Sequence, residues 1–600
     1  MLKTFRQLFG ILDRRERIQA VFVFLFSIVV AGAEVVGVAS ILPFMSAVSN
    51  PESVTENPFL ATLREWFGFL DDEEFIIALG LGVIALLLTS LAVRAIGIWV
   101  QVKFSTLRSH SVSYRLMKAY LHQPYQWYLN QHTARMSTSV LSEAAQVING
   151  ALFPAMQMIT KLLIVLSLFG LLVVTDPALA LIAVTVIGFA YGAIYMLSRK
   201  TLSILGQRRH RANQKRYRVV QESFGGIKDL FIIGREAQAV ERFRLASQNM
   251  AKHIARARVT AELPPLAMQG LIFSGMIAIV IYFLGVYGSV QNALPVLSLF
   301  ALAGYRLMPE LQAVYRHLTE IRVTESVLDS VYNDLRRLEQ TSRPMRGADV
   351  KKWPGLEEPE IRFRQVFYAY PGADRKALAD INLTIRPYST VGIVGPTGSG
   401  KTTLVDVLLG LLSPERGELI IGGVAIDSAN IRSWQDKIGY VPQQIFLTDN
   451  TVAGNIAFGI EETDIDQAAV EKAARIANLH DFIMSELPEG YQTRIGEKGV
   501  RLSGGQRQRI GIARALYHDP GVLILDEATS ALDNLTERAV MDAVNRLSKK
   551  KTIILIAHRL STVQACDEIV LMEAGRISAT GRYDELVESN SVFREMTSHI

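Results

Sequence analysis

One cysteine, Cys566, serves the whole chain of 600 residues. An intrachain disulfide is therefore impossible, and so is a thiolate metal cluster. The segment around Cys566 is expected in a reducing compartment, or where redox state is immaterial. A convincing cleavable leader is also lacking. The N-terminus is basic at Lys3, Arg6, Arg14, Arg15 and Arg17, but the apolar run that follows reaches from Ile18 to Val48. A signal core spans only roughly 7–15 residues, so a retained membrane helix is expected despite the small residues Ser46-Ala47-Val48-Ser49.

Charge is scarce over long tracts of the first half, and that scarcity is informative. Half of all residues are hydrophobic. Six apolar stretches precede residue 330: Ile18–Val48, Phe75–Val102, Ile148–Thr175, Pro177–Leu197, Leu263–Tyr287 and Ala293–His317. Each has the about 20 residues that a bilayer crossing requires. Asp176-Pro177 marks a tight turn between the third and fourth. An all-α transmembrane region of six helices is expected over residues 1–340.

The connections divide by charge. Between the first two spans lie Glu52, Glu56, Glu65, Asp71, Asp72, Glu73 and Glu74, with Arg64 the one basic residue. From Arg199 to Arg258 the chain is crowded with Arg208, Arg209, Arg211, Lys215, Arg216 and Arg218. Basic flanks stay cytoplasmic. The N-terminus, residues 103–147, residues 199–262 and everything after the sixth span are therefore expected on that side. Net charge is +6. The basic residues read chiefly as solvated helix faces near anionic headgroups, and no nucleic-acid partner is expected. Both cytoplasmic segments are helix-patterned and would extend the spans below the membrane at about 1.5 Å per residue. Their expected tips are Pro124–Leu129 and Glu222–Leu230, the latter broken by Gly225-Gly226.

Residues 341–357 are polar, carry Pro344 and Pro354, and read as a linker. From 358 to 600 an α/β pattern takes over. The stretch Gly395-Pro396-Thr397-Gly398-Ser399-Gly400-Lys401-Thr402 fits the phosphate-binding pattern G-x-x-x-x-G-K-[ST]. An apolar strand, Thr390–Val394, precedes it, and a helix beginning near Thr403 follows. A chance glycine-rich loop would not bring both flanks along. The glycines let backbone N–H groups face phosphate oxygens. Lys401 would reach the β- and γ-phosphates of ATP, and the Thr402 hydroxyl would ligate Mg²⁺.

Further motifs come in order. Tyr370, upstream of the loop, is the better candidate to stack on adenine, with Tyr368 left to the core. Gln443, in Tyr440-Val441-Pro442-Gln443-Gln444, is a candidate for Mg²⁺ or water. The apolar strand Val522–Leu525 ends in Asp526-Glu527. Asp526 would hold Mg²⁺, and Glu527 would polarise the attacking water. His558 ends a second apolar strand and would hydrogen-bond the γ-phosphate, although a lone histidine is more often structural.

The segment Leu502-Ser503-Gly504-Gly505-Gln506-Arg507-Gln508-Arg509 resembles the signature of the ATP-binding cassette (ABC) superfamily. The ordered set from Tyr370 through Ser530-Ala531-Leu532-Asp533 to His558 extends that resemblance over the C-terminal part, and six preceding spans are similar to an ABC exporter half-transporter. The resemblance implies that Ser503, Gly504, Gly505 and Gln506 bind the γ-phosphate of ATP held by a second cassette. A helix N-terminus suits that anion. One phosphate loop and one signature per chain then imply a homodimer. Gly496-Glu497-Lys498-Gly499 is similar to the exporter loop that meets the helix tips.

The cargo is less legible. Ionisable residues inside spans are functional candidates. Glu34, Arg94, Lys161, Arg306 and Glu310 qualify. Arg306 and Glu310 stand at i,i+4 spacing and would pair; in the alternative, Lys161, Arg94 and an unpaired Arg306 would line a cavity for an acidic headgroup. Glu34-Val35-Val36-Gly37-Val38-Ala39-Ser40-Ile41-Leu42-Pro43-Phe44 resembles the first helix of bacterial lipid-linked oligosaccharide flippases, and the two cytoplasmic tips are similar to that group. This resemblance implies ATP-driven transfer of a polyprenyl-pyrophosphate-linked glycan across the bacterial inner membrane. The outer segment Pro58–Leu70, with Phe59, Leu60, Leu63, Trp66, Phe67 and Phe69, would meet the lipid tail, or would be an ordinary interfacial helix. An exporter of another lipid, a drug or a peptide stays open. So does an ATP-gated membrane regulator that pumps nothing, although Glu527 speaks against it.

Overall fold

The computed structural model describes residues 2–49, 58–67, 71–175, 177–287, 294–341, 360–527, 534–557 and 559–598. Backbone contacts divide the chain into two units: Met1–Gln123 with Asn130–Ser342, and Arg343–Ile600 together with Pro124–Leu129. The expected linker, apart from its first residue Thr341, lies outside the described residues, as do His558 and Ser530-Ala531-Leu532-Asp533.

The first unit is helical. Its main elements are α1 (Leu2–Ile11), α2 (Arg14–Ala39), α3 (Asp72–Leu121), α4 (Phe153–Thr175), α5 (Pro177–Gly225), α6 (Glu236–Tyr287) and α7 (Leu294–Thr341). Each start has a local cause. Asp13 precedes α2, and its N–H donates to Glu16 Oε2 at 2.9 Å. Asp71 caps α3 by accepting from the Glu73 N–H. Pro177 opens α5, where its missing N–H costs nothing. Among the described residues, four helical stretches are long and apolar enough to cross a membrane: Arg14–Val48, Glu73–Leu121, Thr133–Val174 and Ala180–Gly225. The other two expected spans fall on α6 and α7, part of whose side chains lie outside the described residues.

The first tip, expected at Pro124–Leu129, holds the short helix Tyr125–Tyr128. The second tip breaks where the glycines stand: α5 ends at Gly225, and a separate helix runs Ile227–Ile233. In the acidic connection expected on the outer side, the helix Pro58–Phe67 turns Leu60 fully inward against Ala47 and Phe75, while Trp66 is exposed. A polar layer crosses the apolar interior. Gln101 Nε2 donates to Ser27 Oγ and Thr160 Oγ1 at 3.1 and 2.9 Å, and Gln157 Nε2 donates to Gln101 Oε1 at 2.7 Å. Such bonds tie α2, α3 and α4 where lipid offers no competing partner.

The second unit is α/β. A six-stranded sheet has the order β10-β9-β3-β8-β7-β6. Its strands are β3 (Thr390–Val394), β6 (Ile438–Val441), β7 (Val522–Asp526), β8 (Thr552–Ile556), β9 (Glu568–Glu573) and β10 (Arg576–Gly581). All are parallel except β10 on β9. β3, β7 and β8 are buried throughout, as the unbroken apolar runs require for strands covered on both faces. The antiparallel sheet has the order β2-β1-β4-β5, with β1 at Ile361–Tyr368, β2 at Leu378–Ile385, β4 at Arg416–Ile421 and β5 at Val424–Ala425. Register sets the site. Ile393 pairs Ile556, and Ile556 pairs Asp526. The carboxyl ends of β3, β8 and β7 therefore lie level, the edge where α/β sheets bind ligands.

Candidate functional site

A cavity of about 600 Å³ opens at that edge. Tyr370, residues 397–403, Gln443, Asp526 and Glu527 all line it. Two positions of the loop after β3 leave no room for a side chain. At Gly395 (φ +150°) a Cβ would stand 2.1 Å from the Met572 carbonyl oxygen. At Gly400 (φ +104°) one would stand 2.7 Å from the Ala377 carbonyl oxygen. Helix α8 (Lys401–Leu408) starts directly after, with its first N–H groups at the cavity. Lys401 is buried, and its Nζ donates to the carbonyls of Gly395 and Pro396 at 2.7 and 3.0 Å. Burial lowers its ammonium pKa, against the pull of Glu527 and Asp526. Ser399 Oγ is buried without a hydrogen-bond partner. A glycine cradle, a lysine and an orphaned hydroxyl together fit a polyphosphate.

The carboxylates stand apart in setting. Asp526 ends β7, is almost wholly buried, and accepts from the Tyr440 hydroxyl at 3.4 Å. Burial, then Asp526, raises the Tyr440 pKa, so the phenol stays a donor. Glu527 follows at φ +49°, a left-handed backbone that costs a non-glycine residue about 1–2 kcal/mol. Its Oε2 accepts from Gln443 Nε2 at 2.7 Å. Among the described residues no group of three His, Cys, Asp or Glu forms a cage for a metal. Asp526, the Thr402 hydroxyl and Gln443 suit Mg²⁺ shared with nucleotide phosphates, since that ion keeps few protein ligands. Tyr370 leans on Tyr368 at 5.2 Å, edge to face, and its hydroxyl meets Thr403 Oγ1 at 3.2 Å. Tyr368 is buried. Sequence reasoning missed Arg375 and Lys376, which also line the cavity; exposed basic residues on a loop gave no signal.

Ser503, Gly504, Gly505 and Gln506 do not line this cavity. They open helix α9 (Gly504–Leu516), where Ser503 Oγ accepts from the Gln506 N–H and Gln506 Oε1 accepts from the Ser503 N–H. This capping box leaves the helix N-terminus formed and outward.

The intramembrane charges form one cluster from four helices. Arg306 Nη1 donates to Glu34 Oε1 at 2.7 Å. Lys161 Nζ stands 2.8 Å and Arg94 Nη2 3.0 Å from Glu310, and Arg94 Nη1 is 3.6 Å from Glu34. The expected pairing of Arg306 with Glu310 is therefore wrong. Both carboxylates are buried, and each needs nearby cations to offset desolvation. Lys161 and Arg94 offset the charge of Glu310 from other helices, and Arg306 with Arg94 that of Glu34, although Glu310 Oε2 and Glu34 Oε2 accept no hydrogen bond among the described residues. Among the described residues three cations face two carboxylates, a formal excess of one positive charge. The Arg94 and Arg306 side chains keep 29% and 23% exposure, enough to meet a ligand.

Comparison with known proteins agrees with this architecture. The ABC transporter family matches residues 378–530, and the ABC transporter transmembrane region matches residues 18–308. A protein of Cupriavidus pinatubonensis named ATP-dependent lipid A-core flippase is 32% identical over 79% of this chain and 79% of its own length. A protein of the same name from Alkalilimnicola ehrlichii is 36% identical, with 65% of each covered. The fold is similar to that of a bacterial Atm1-family ABC exporter with ATP bound, at a TM-score of 0.80 and 21% identity, covering 98% of this chain and 99% of that one. A multi-pass helical region, a phosphate loop, a signature helix and these matches lead to one statement: the chain belongs to the ABC transporter family, as an exporter chain that joins a transmembrane region to an ATP-hydrolysing cassette.

Proposed function

We propose that two copies of this chain form a flippase that moves a polyprenyl-pyrophosphate-linked oligosaccharide from the cytoplasmic to the outer leaflet of a bacterial inner membrane. The observation that carries the cargo is the buried cluster with its one surplus positive charge. A pyrophosphate would be held by Arg94 and Arg306, whose guanidinium groups match phosphate oxygens pairwise. The outer side supplies apolar room. A cavity of about 710 Å³ is lined by Val36, Pro43, Leu63, Phe75, Leu79 and Leu86, among others, and suits part of a lipid tail.

Two features support the dimer. The signature residues are absent from the lining of their own chain's nucleotide cavity, so a second copy would bring them to it. The helix Ile227–Ile233 exposes Phe231, Ile232 and Ile233 at 63%, 73% and 65%. An apolar tip in the cytoplasm calls for a partner surface. In that assembly the termini are cytoplasmic, following the basic connections. Lys401 and the loop N–H groups bind and orient the β- and γ-phosphates, and Glu527 takes a proton from the attacking water. Mg²⁺ on Thr402, Gln443 and Asp526 would neutralise charge developing between the β- and γ-phosphates. His558 is assigned to the γ-phosphate on its strand-end position. Closure of the cassettes on ATP and their release after hydrolysis would switch the helices between accesses.

Lipid A-core is the second reading, favoured by the names of relatives at 32–36% identity. It too presents phosphate on a glycolipid. Proteoliposomes decide. The expected result is stimulation of hydrolysis and inward-to-outward transfer with polyprenyl-pyrophosphate oligosaccharide and hydrolysable ATP. Stimulation by lipid A-core alone transfers the assignment to the second reading; stimulation by hydrophobic cations alone points to a drug exporter. Transfer without hydrolysis, or none with any lipid, sinks the pump. Glu527→Gln is expected to bind ATP with turnover reduced at least about 100-fold, the share of a general base.

A further inference from the structure

Three hydrogen bonds bear on Glu527 among the described residues. Its N–H donates to the Ile556 carbonyl at 3.0 Å, which fixes it to β8. Its carboxylate accepts from Gln443. Its own carbonyl accepts from Gln508 Nε2 at 3.1 Å. Gln508 lies one turn into α9 and is 3% exposed. A left-handed backbone at a glutamate persists only where the surroundings determine it, and the buried Gln508 amide supplies part of that determination.

The same side chain connects two places with different tasks. Four residues before it, at about 6 Å along the helix axis, stands Gly504, at the N-terminus that carries the signature. Helix α9 is rigid over that turn, so a shift of its N-terminus moves the Gln508 amide and the peptide it holds.

We propose that Gln508 is a positioning residue for hydrolysis, and that it makes each general base answer to the nucleotide engaged by its own chain's signature. This rests on the dimeric reading above. ATP held by the second copy presses on Ser503 to Gln506, α9 shifts, and Gln508 turns the Glu527 peptide so that the carboxylate leaves Gln443 for the attacking water. The two ATP sites of the dimer are then linked through one side chain in each protomer.

The test uses the full-length protein in liposomes of phosphatidylethanolamine and phosphatidylglycerol, with ATPase as the readout. Gln508→Met keeps length and volume but removes the donor. Its kcat is expected to fall about tenfold, as for a misaligned base, with the KM for ATP within about twofold and without the cooperative ATP dependence that the link predicts for the parent. Gln508→Glu keeps the shape. Its protonated acid donates to the Glu527 carbonyl and its carboxylate does not, so its activity relative to the parent is expected to rise as pH falls. An unchanged kcat and an unchanged ATP dependence in Gln508→Met overturn the proposal, as does a Gln508→Glu ratio flat with pH. Glu527→Gln measured in parallel separates the causes. Full turnover there refutes the base assignment on which the link depends; lost turnover beside an unimpaired Gln508→Met refutes the link alone.

Discussion

Asp406 shows how a single carboxyl is priced by its setting. It sits on α8, below the phosphate loop, and burial with Asp526 nearby pushes its pKa up to about 6. The ordinary value is 3.8. The folded state thus holds the proton more tightly than the unfolded chain does. Between pH 3.8 and about 6 the folded form binds more protons, so stability falls as pH rises through that window and levels off above it. Asp406→Asn cannot titrate and removes that loss. Its unfolding temperature should exceed the parent's at pH 8, by about 2–4 °C for each kcal/mol recovered, and the difference should vanish at pH 4. Equal unfolding temperatures at both pH values would show that Asp406 is solvated. Burial acts in the same direction on Cys566. Its thiol is pushed up to about 12, which keeps it in the unreactive thiol form.

At the scale of elements, glycine decides how closely helices approach. A Cβ at Gly206 of α5 would lie 2.3 Å from the Val323 carbonyl oxygen of α7. A Cβ at Gly192 of the same helix meets nothing within 4 Å. Gly206→Ala therefore forces a backbone apart and should cost about 1–3 kcal/mol, while Gly192→Ala should gain about 0.5–1 kcal/mol from helix propensity. Thermal inactivation of ATPase in detergent separates them, and equal shifts would refute the close crossing. The contrast also shows what the sequence conceals. Gly192 lies in an apolar run and Gly206 just before Arg208 and Arg209, and neither setting says which of them meets another backbone. The phosphate loop was legible because its glycines, lysine and buried strand all speak of one local geometry. So was the tip at Gly225-Gly226, where two glycines interrupt a helix. The π-helical turns Ser139–Glu143 and Ile148–Leu152 were not, since no residue type encodes them. Gln508 was passed over for the same reason: its partner is 19 residues away and is a backbone carbonyl.

At the scale of the whole molecule, the charge cluster is where stability and transport meet. The i,i+4 rule saw only one helix and paired Arg306 with Glu310; four helices pair them otherwise. Removing a carboxylate and removing a cation should then have opposite signatures. Glu310→Gln leaves Lys161 and Arg94 without their main counter-ion, and breaking a buried pair costs about 3–5 kcal/mol. It also raises the surplus from one positive charge to two, so an anionic headgroup should bind more tightly to a less stable protein. Arg94→Gln or Arg306→Gln removes the surplus and should depress lipid transfer well below its parent value while basal hydrolysis persists, because the cassette is untouched. Paired measurements of transfer and basal ATPase in proteoliposomes, with unfolding temperatures of the same samples, test both limbs. If Arg94→Gln, Lys161→Gln and Arg306→Gln all transfer lipid normally, the cluster is a structural clamp, and the cargo must be recognised elsewhere.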